Sequence, residues 1–409
     1  MSLIELSYTF CAGIVALIIV ISRLYNVGQR PKGYPPGPPT LPFVGNLHQI
    51  PSEKRHLQFE RWAREYGPIY SLMLGTKVMI VLNSHEAVKE LVDRRGAIYS
   101  SRPESYIAQD VLSGGLRILF MISLVDDIRC YISPEPMCEG GTEDEMIEEA
   151  LKPNNGPWKM ARKLGQHVLG VTAARTYVPY QDLENKAMLL GFLESPGDFI
   201  SHLRRYTASL TTQMTFGFRT TTMHDRRFRQ AFEISDHSSE MIGSLTAAML
   251  DLVPVLRNIP DFLLPMKKDG RDMHRRELSL FRELFLQTKE GLKLGTAKPC
   301  VCVDLVKMQR ELKFSDNFAA YIGGSLLQTG SETTASVLVG FVQAMVLFPD
   351  VAKTAQEELD RVCGGRMPNL NDVPDLAYIR ACAKETLRWM PGFMLGISHS
   401  VTQDDTYEG

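Results

Sequence analysis

The sequence predicts a mainly α-helical domain with small β-sheets, carried behind a single N-terminal transmembrane helix. Three observations predict it. Residues 6–22 carry no charge and are almost wholly aliphatic; one hairpin pattern occupies residues 70–82; and from about residue 156 onward apolar side chains recur with helical periodicity. With 409 residues, 44% hydrophobic and 22% charged, the chain can bury a large core, which excludes a disordered or disulfide-scaffold class. Lys plus Arg of 45 against Asp plus Glu of 47 leaves a net charge of −2 and no basic field to hold a phosphate backbone, so nucleic acid is excluded as a partner.

The apolar run 6–22 sits at the short limit for crossing a bilayer, and Leu3 and Ile4 extend it. No basic stretch precedes it and no small-residue cleavage site follows, which favours a retained anchor over a cleaved signal peptide. Arg23, Arg30 and Lys32 follow directly, placing the body on the cytosolic side. The anchor is assigned to residues 1–30. Residues 31–50 form a proline-rich hinge, in which Pro31, Pro35, Pro36, Pro38, Pro39 and Pro42 fix φ and remove donors, giving a semi-rigid spacer rather than helix or central strand. The body occupies residues 51–409. In it Tyr70, Leu72 and Leu74 alternate with smaller residues, Gly75-Thr76 turns the chain, and residues 77–82 return as a second strand. Ser84 then caps a helix with Ala87, Val88, Leu91 and Val92 on one face.

The longest helix is expected from Ser315-Asp316 to Phe348, free of proline and about 50 Å long, enough to cross a domain. Phe318, Ala319, Ile322, Leu326, Leu327, Val337, Leu338, Phe341, Val342, Met345 and Val346 cover much of its circumference, the pattern of a buried central helix. Inside it lies Thr329-Gly330-Ser331-Glu332-Thr333-Thr334. One reading is a polar stripe whose hydroxyls bond back to helix carbonyls; the other is a local opening beside a ligand, with an acid–alcohol pair delivering protons. Glu385 and Arg388 share a face at i and i+3 of a helix stopped near Pro391, and Trp158 and Arg162 share a face at i and i+4. The seven cysteines are scattered, which suits reduced thiols; Cys300 and Cys302 form a CxC with nothing nearby to complete a metal site.

In order, the chain presents an N-terminal anchor, a proline-rich hinge, Tyr66-Gly67-Pro68-Ile69-Tyr70, Ser100-Ser101-Arg102-Pro103, WxxxR at Trp158, GxETT at Gly330 and ETLRxxP at Glu385. That series resembles the cytochrome P450 haem-thiolate monooxygenases over nearly the whole body, and residues 180–184 and 219–229 resemble the fungal secondary-metabolism type. The resemblance implies a P450-like fold, a haem (heme) cofactor, an apolar small-molecule substrate oxidised with dioxygen, and electrons from NADPH–cytochrome P450 reductase at the endoplasmic reticulum membrane. It implies that Thr333 and Glu332 guide protons and that Gly330 lets oxygen approach the helix backbone, with Thr329 departing from the family's smaller residue. It implies that Trp158, Arg162 and His399 meet haem propionates, and that Glu385 and Arg388 form a buried structural ion pair completed by a later arginine.

Two departures from the family pattern bear on what the chain does. The family's axial thiolate comes from an FxxGxxxCxG loop expected beyond Gly409, and none of the seven cysteines has such surroundings; Cys363, in Val362-Cys363-Gly364-Gly365, comes nearest. The expectation is a C-terminally truncated member that lacks the axial ligand and is inactive as it stands. Residues 122–155 carry nine acids against Arg129 and Lys152 alone, and read as an acidic insertion, either a surface loop or translated intron, with the second preferred. The alternative from a different class is a membrane-tethered helical binding protein without haem, for which the apolar stretch 252–265 would be an interaction patch. A hydrolase is disfavoured, since no GxSxG elbow occurs.

Overall fold

Alternation of apolar residues over residues 69–82 produces the only sheet among the described residues: β1 (Ile69–Leu74) pairs antiparallel with β2 (Lys77–Leu82), from Ile69 opposite Leu82 to Leu74 opposite Lys77. Gly75, at φ +60°, takes the turn as the sequence predicts. The computed structural model describes residues 27–51, 53–120, 165–166, 170–222, 224–392 and 394–407. The predicted anchor run, the acidic segment 122–155, Trp158 and Arg162 lie outside them.

Two units are distinguished. The first comprises Met1–Arg102, Ala248–Ile259 and Ser398–Gly409. Its core is Trp62 of α1 (Arg55–Tyr66) packed edge-on against Tyr70, with Leu72 beside them. The Tyr70 hydroxyl donates to the Phe59 carbonyl at 3.0 Å, and burial pushes its pKa up to about 12. The proline-rich stretch, short of its own donors, offers carbonyls instead. Arg30 donates to the Pro38 carbonyl at 2.9 Å and to Ser71 Oγ at 2.7 Å, Asn46 Nδ2 to the carbonyls of Pro38 and Pro39, and Ser71 Oγ to the Pro35 carbonyl at 2.6 Å. Gly45, at φ +59°, is needed there because a Cβ would stand 2.3 Å from the Met73 carbonyl oxygen.

The second unit comprises Pro103–Ala247 and Pro260–Ile397 and is helical. Its elements are α2 (Val178–Glu194), α3 (Phe199–Phe216), α4 (Arg226–Ile242), α5 (Pro265–Lys293), α6 (Val301–Leu312), α7 (Asp316–Leu347), α8 (Pro349–Cys363) and α9 (Ala377–Trp389). The helix α7 starts where the sequence places it, with Ser315 accepting from the Phe318 N–H, and gives way at Pro349. It packs on α3, α5, α6, α8 and α9, with Phe281 of α5 at Gly324, Thr211 of α3 at Gly330 and Met390, just past α9, at Gly340. The core gathers Phe281, Leu284 and Phe285 of α5, Cys302 and Leu305 of α6, and Phe318 to Ile322 and Leu327 of α7.

Two expectations need correction. The N-terminal half of α7 is buried, but Val337, Leu338, Phe341, Val342 and Met345 are only partly covered and Val346 is exposed, because α8 and α9 cover less of its circumference than α3, α5 and α6 do. The helix after Ser84 ends at Val88 and continues as a wider π-turn over Lys89–Arg94; Val88 is exposed while Ala87 and Leu91 are buried.

Candidate active-site helix

The polar stretch of α7 is continuous helix, not an opened one. Thr329, Ser331, Thr333 and Ser336 each donate to the carbonyl four residues earlier: Ser325, Leu327 and Thr329 at 2.7 Å, and Glu332 at 2.9 Å. This is the back-bonded arrangement weighed in the sequence, and it satisfies the hydroxyls without breaking the helix ladder. Of the four, Ser331 is buried and Thr329 and Ser336 are exposed; Thr333 is half-buried, its Cβ 3.9 Å from where a Cβ on Gly392 would lie. The segment leaving α9 therefore passes beside Thr333, and Met390 lies against Gly340 one helical stretch farther along. GxETT and ETLRxxP, separated in sequence, meet in space.

Glu332 is half-buried and its pKa is raised, by burial first and by the charge of Asp236 second, against an opposing pull from Arg204. Burial therefore favours the protonated carboxyl of Glu332 more than in a free glutamate. Gly330 faces α3, where a Cβ would stand 3.1 Å from the methyl and hydroxyl of Thr211. In this structure the glycine serves a close helix–helix approach.

The structure corrects the expected burial of Glu385 and Arg388. Arg388 Nε donates to Glu385 Oε2 at 2.8 Å and Nη2 to Oε1 at 2.5 Å, but the side chains are 60% and 71% exposed. The helix α9 buries Cys382 and Thr386 and leaves this pair to solvent. His399 lies in the first unit, exposed, with Nδ1–H donating to the Tyr99 carbonyl at 2.7 Å and Nε2 left outward.

A haem site of the thiolate type needs a sulfur anion. The described cysteines are Cys300, Cys302, Cys363 and Cys382, all buried. Burial pushes Cys300 up to about 11, Cys302 well above the ordinary thiol value, and Cys382 upward, the opposite of what ligation requires. Cys302 Sγ packs at Gly323, ten residues and about 15 Å along α7 from Thr333. Cys363 ends α8 beside the Arg366/Asp372 pair. No cluster of metal ligands exists among the described residues. They supply no axial ligand, so by themselves they do not fit haem.

Sequence reasoning missed two buried ionic clusters in this unit. One centres on Glu184, which accepts from Arg205, Arg219 and Gln213; the other on Glu277, which accepts from Arg117, Gln328 and Tyr321. Tyr321 and Gln328 are seven apart on one face of an otherwise apolar stretch of helix, and that spacing was the available signal.

Comparison with known proteins agrees with this architecture. The sequence model of the cytochrome P450 family matches residues 35–121 and 181–409, omitting a stretch that contains the acidic segment, Trp158 and Arg162. A cytochrome P450 monooxygenase of Aspergillus ruber, fogE, is 61% identical over 396 residues, covering 97% of this chain and 68% of the relative. The monooxygenase virE of Hypocrea virens is 53% identical over 397 residues, covering 97% and 66%, and fsoB of Humicola fuscoatra is 41% identical over 398 residues, covering 97% and 68%. The chain thus spans about two-thirds of the length of these relatives. A long helix bearing GxETT beside the exit of an ETLRxxP helix, on a chain matched by the family over most of its length, shows that this protein belongs to the cytochrome P450 family of haem-dependent oxidoreductases.

Proposed function

We propose that this chain contributes the oxygen-side helix and membrane-anchored body of a monooxygenase that inserts one oxygen atom into an apolar small molecule of fungal secondary metabolism. The single observation that carries the reading is the α7 turn in which Glu332, with its raised pKa, adjoins Thr333 beside the chain leaving α9. Glu332 would supply a proton and Thr333 would relay it, giving up its bond to the Thr329 carbonyl to do so. Three similar relatives from fungi are named as monooxygenases, which supports the reaction class. Residues 1–30 anchor the protein in the endoplasmic reticulum membrane with its body in the cytosol, where NADPH–cytochrome P450 reductase supplies electrons; Trp158, Arg162 and His399 would hold the propionates of a haem. Among the described residues, Cys300, Cys302 and Cys382 are buried with raised pKa, so none of these three offers the thiolate that the reaction needs.

Disruption of the gene in its host tests the reading. A metabolite one oxygen atom poorer, and more apolar than the normal product, accumulates if it is right; an unchanged metabolite profile overturns it. Protease added to intact microsomes removes the body if the proposed orientation holds, and leaves it protected if it does not.

A further inference from the structure

We propose that Glu277 is a positioning residue that binds the loop ending at Arg117 and the Gln328 turn of α7 into one mechanical unit. The proposal rests on the monooxygenase reading only for its functional consequence. Glu277, on α5, is 1% exposed. Arg117 Nη2 donates to both its oxygens, at 2.6 and 2.7 Å, and Arg117 Nη1 donates to Gln328 Oε1 at 3.0 Å. Gln328 Nε2 closes the ring by donating to Glu277 Oε1 at 2.9 Å, and the Tyr321 hydroxyl donates to Oε2 at 2.9 Å. Since that hydroxyl has one proton, the His274 Nδ1 contact at 2.7 Å is completed by Nδ1–H donating to the tyrosine oxygen. Gly114 allows the imidazole this position, for a Cβ there would stand 2.8 Å from Nε2.

Every member of this cluster lies on a different element or a different turn, and Glu277 is the atom group they share. A carboxylate this deeply buried is tolerable only while its donors stay in place, so displacement of any one of them strips the others of a partner. Gln328 stands one helical turn before Glu332 on the same face of α7. Displacement of the loop at residues 112–117 thereby loosens the turn that carries Glu332, and an ordered loop holds it fixed. Loop position and the Glu332 turn are coupled through a carboxylate whose partners are Arg117, Gln328 and Tyr321.

The test is hydrogen exchange, read by mass spectrometry, on the full-length chain in lipid nanodiscs. Glu277→Gln keeps the volume and removes the charge; Tyr321→Phe removes one donor and leaves the ion pair, so it carries the test if the first variant fails to fold. The expected result is a common rise in exchange, roughly tenfold for a local opening of this size, in peptides covering residues 112–120 and 325–333, with residues 178–194 unchanged. Arg117→Lys, which keeps the charge but not the fork, gives a smaller rise in the same two peptides. Faster exchange in the loop with residues 325–333 unchanged overturns the coupling, and a uniform rise over all peptides assigns Glu277 a merely structural role. The readout needs no haem, so its failure leaves the monooxygenase reading standing, and failure of that reading leaves the exchange result intact.

Discussion

Glu184→Gln exposes the largest stability difference that sequence inspection alone would misplace. Glu184 has no exposed surface, and its carboxylate accepts from Arg205 Nη1 at 2.5 Å, Arg219 Nε at 2.6 Å and Gln213 Nε2 at 2.8 Å, joining α2 to α3 and to the turn beyond it. The amide has the same shape but turns one acceptor into a donor and leaves two guanidiniums without their anion. Removing one partner of a buried ionic cluster costs about 3–5 kcal/mol. In a helical unit of this size each kcal/mol moves the midpoint by about 2–4 °C, so the variant should melt on the order of 10 °C lower. Circular dichroism of the detergent-solubilised chain reads this, with Glu60→Gln, at the exposed pair with Arg64, as the control that leaves the midpoint in place. Burial raises the Glu184 pKa, but the hydrogen bonds from Arg219 and Arg205 bring it below the ordinary glutamate value of 4.5. Its contribution is therefore present above that pH and lost as pH falls through the lower folded value. A Glu184→Gln midpoint within about 3 °C of the parent refutes a preorganised buried cluster.

Glu385→Gln and Arg388→Met, by contrast, leave the melting midpoint unchanged, because that pair is exposed on both sides; a drop as large as that of Glu184→Gln would mean the pair is buried in solution. Gly324→Ala places a methyl 2.2 Å from the Phe281 ring inside the core and costs about 1–3 kcal/mol. Gly340→Ala meets only the flexible Met390 side chain and changes stability by less than about 1 kcal/mol, so equal losses in the two variants by urea titration would contradict the packing described. Burial lowers the His274 pKa, with Arg117 acting in the same sense and Glu277 and the backbone of Leu112 opposing. The folded state thus prefers the neutral ring, and stability falls as pH drops below about 6.5, where the unfolded chain takes up the proton. His274→Phe flattens that limb between pH 7 and 5 in a pH series of urea midpoints; an unaltered limb assigns the dependence to another group.

Periodicity made the backbone legible. The hairpin register followed from alternation around Gly75, and the limits of α7 from Ser315 and Pro349, because each rests on a local rule of turn or cap chemistry. Burial was less legible, since it depends on what packs against a face. Val346 belongs to an apolar stripe yet lies open, and Glu385 and Arg388 carry a motif associated with burial yet face solvent. Of the candidate site, Thr333 and Glu332 could be found because hydroxyls and an acid interrupt an apolar helix. Glu184 and Glu277 could not, because each draws its partners from elements far apart in sequence and none of those partners is unusual where it stands. Gly330 shows the converse: motif placement suggested a space-making glycine, and the space it makes is filled by Thr211.

The reduced, carbon-monoxide-bound absorption spectrum of the 409-residue chain, expressed with haem supplied, tests the central claim most directly. Among the described cysteines, neutral, buried Cys300, Cys302 and Cys382, and a Cys363 packed at the end of α8, predict no red-shifted thiolate-type Soret band from any of the four. A red-shifted band would contradict the account, and its loss in Cys363→Ala would identify the sulfur that reaches the iron.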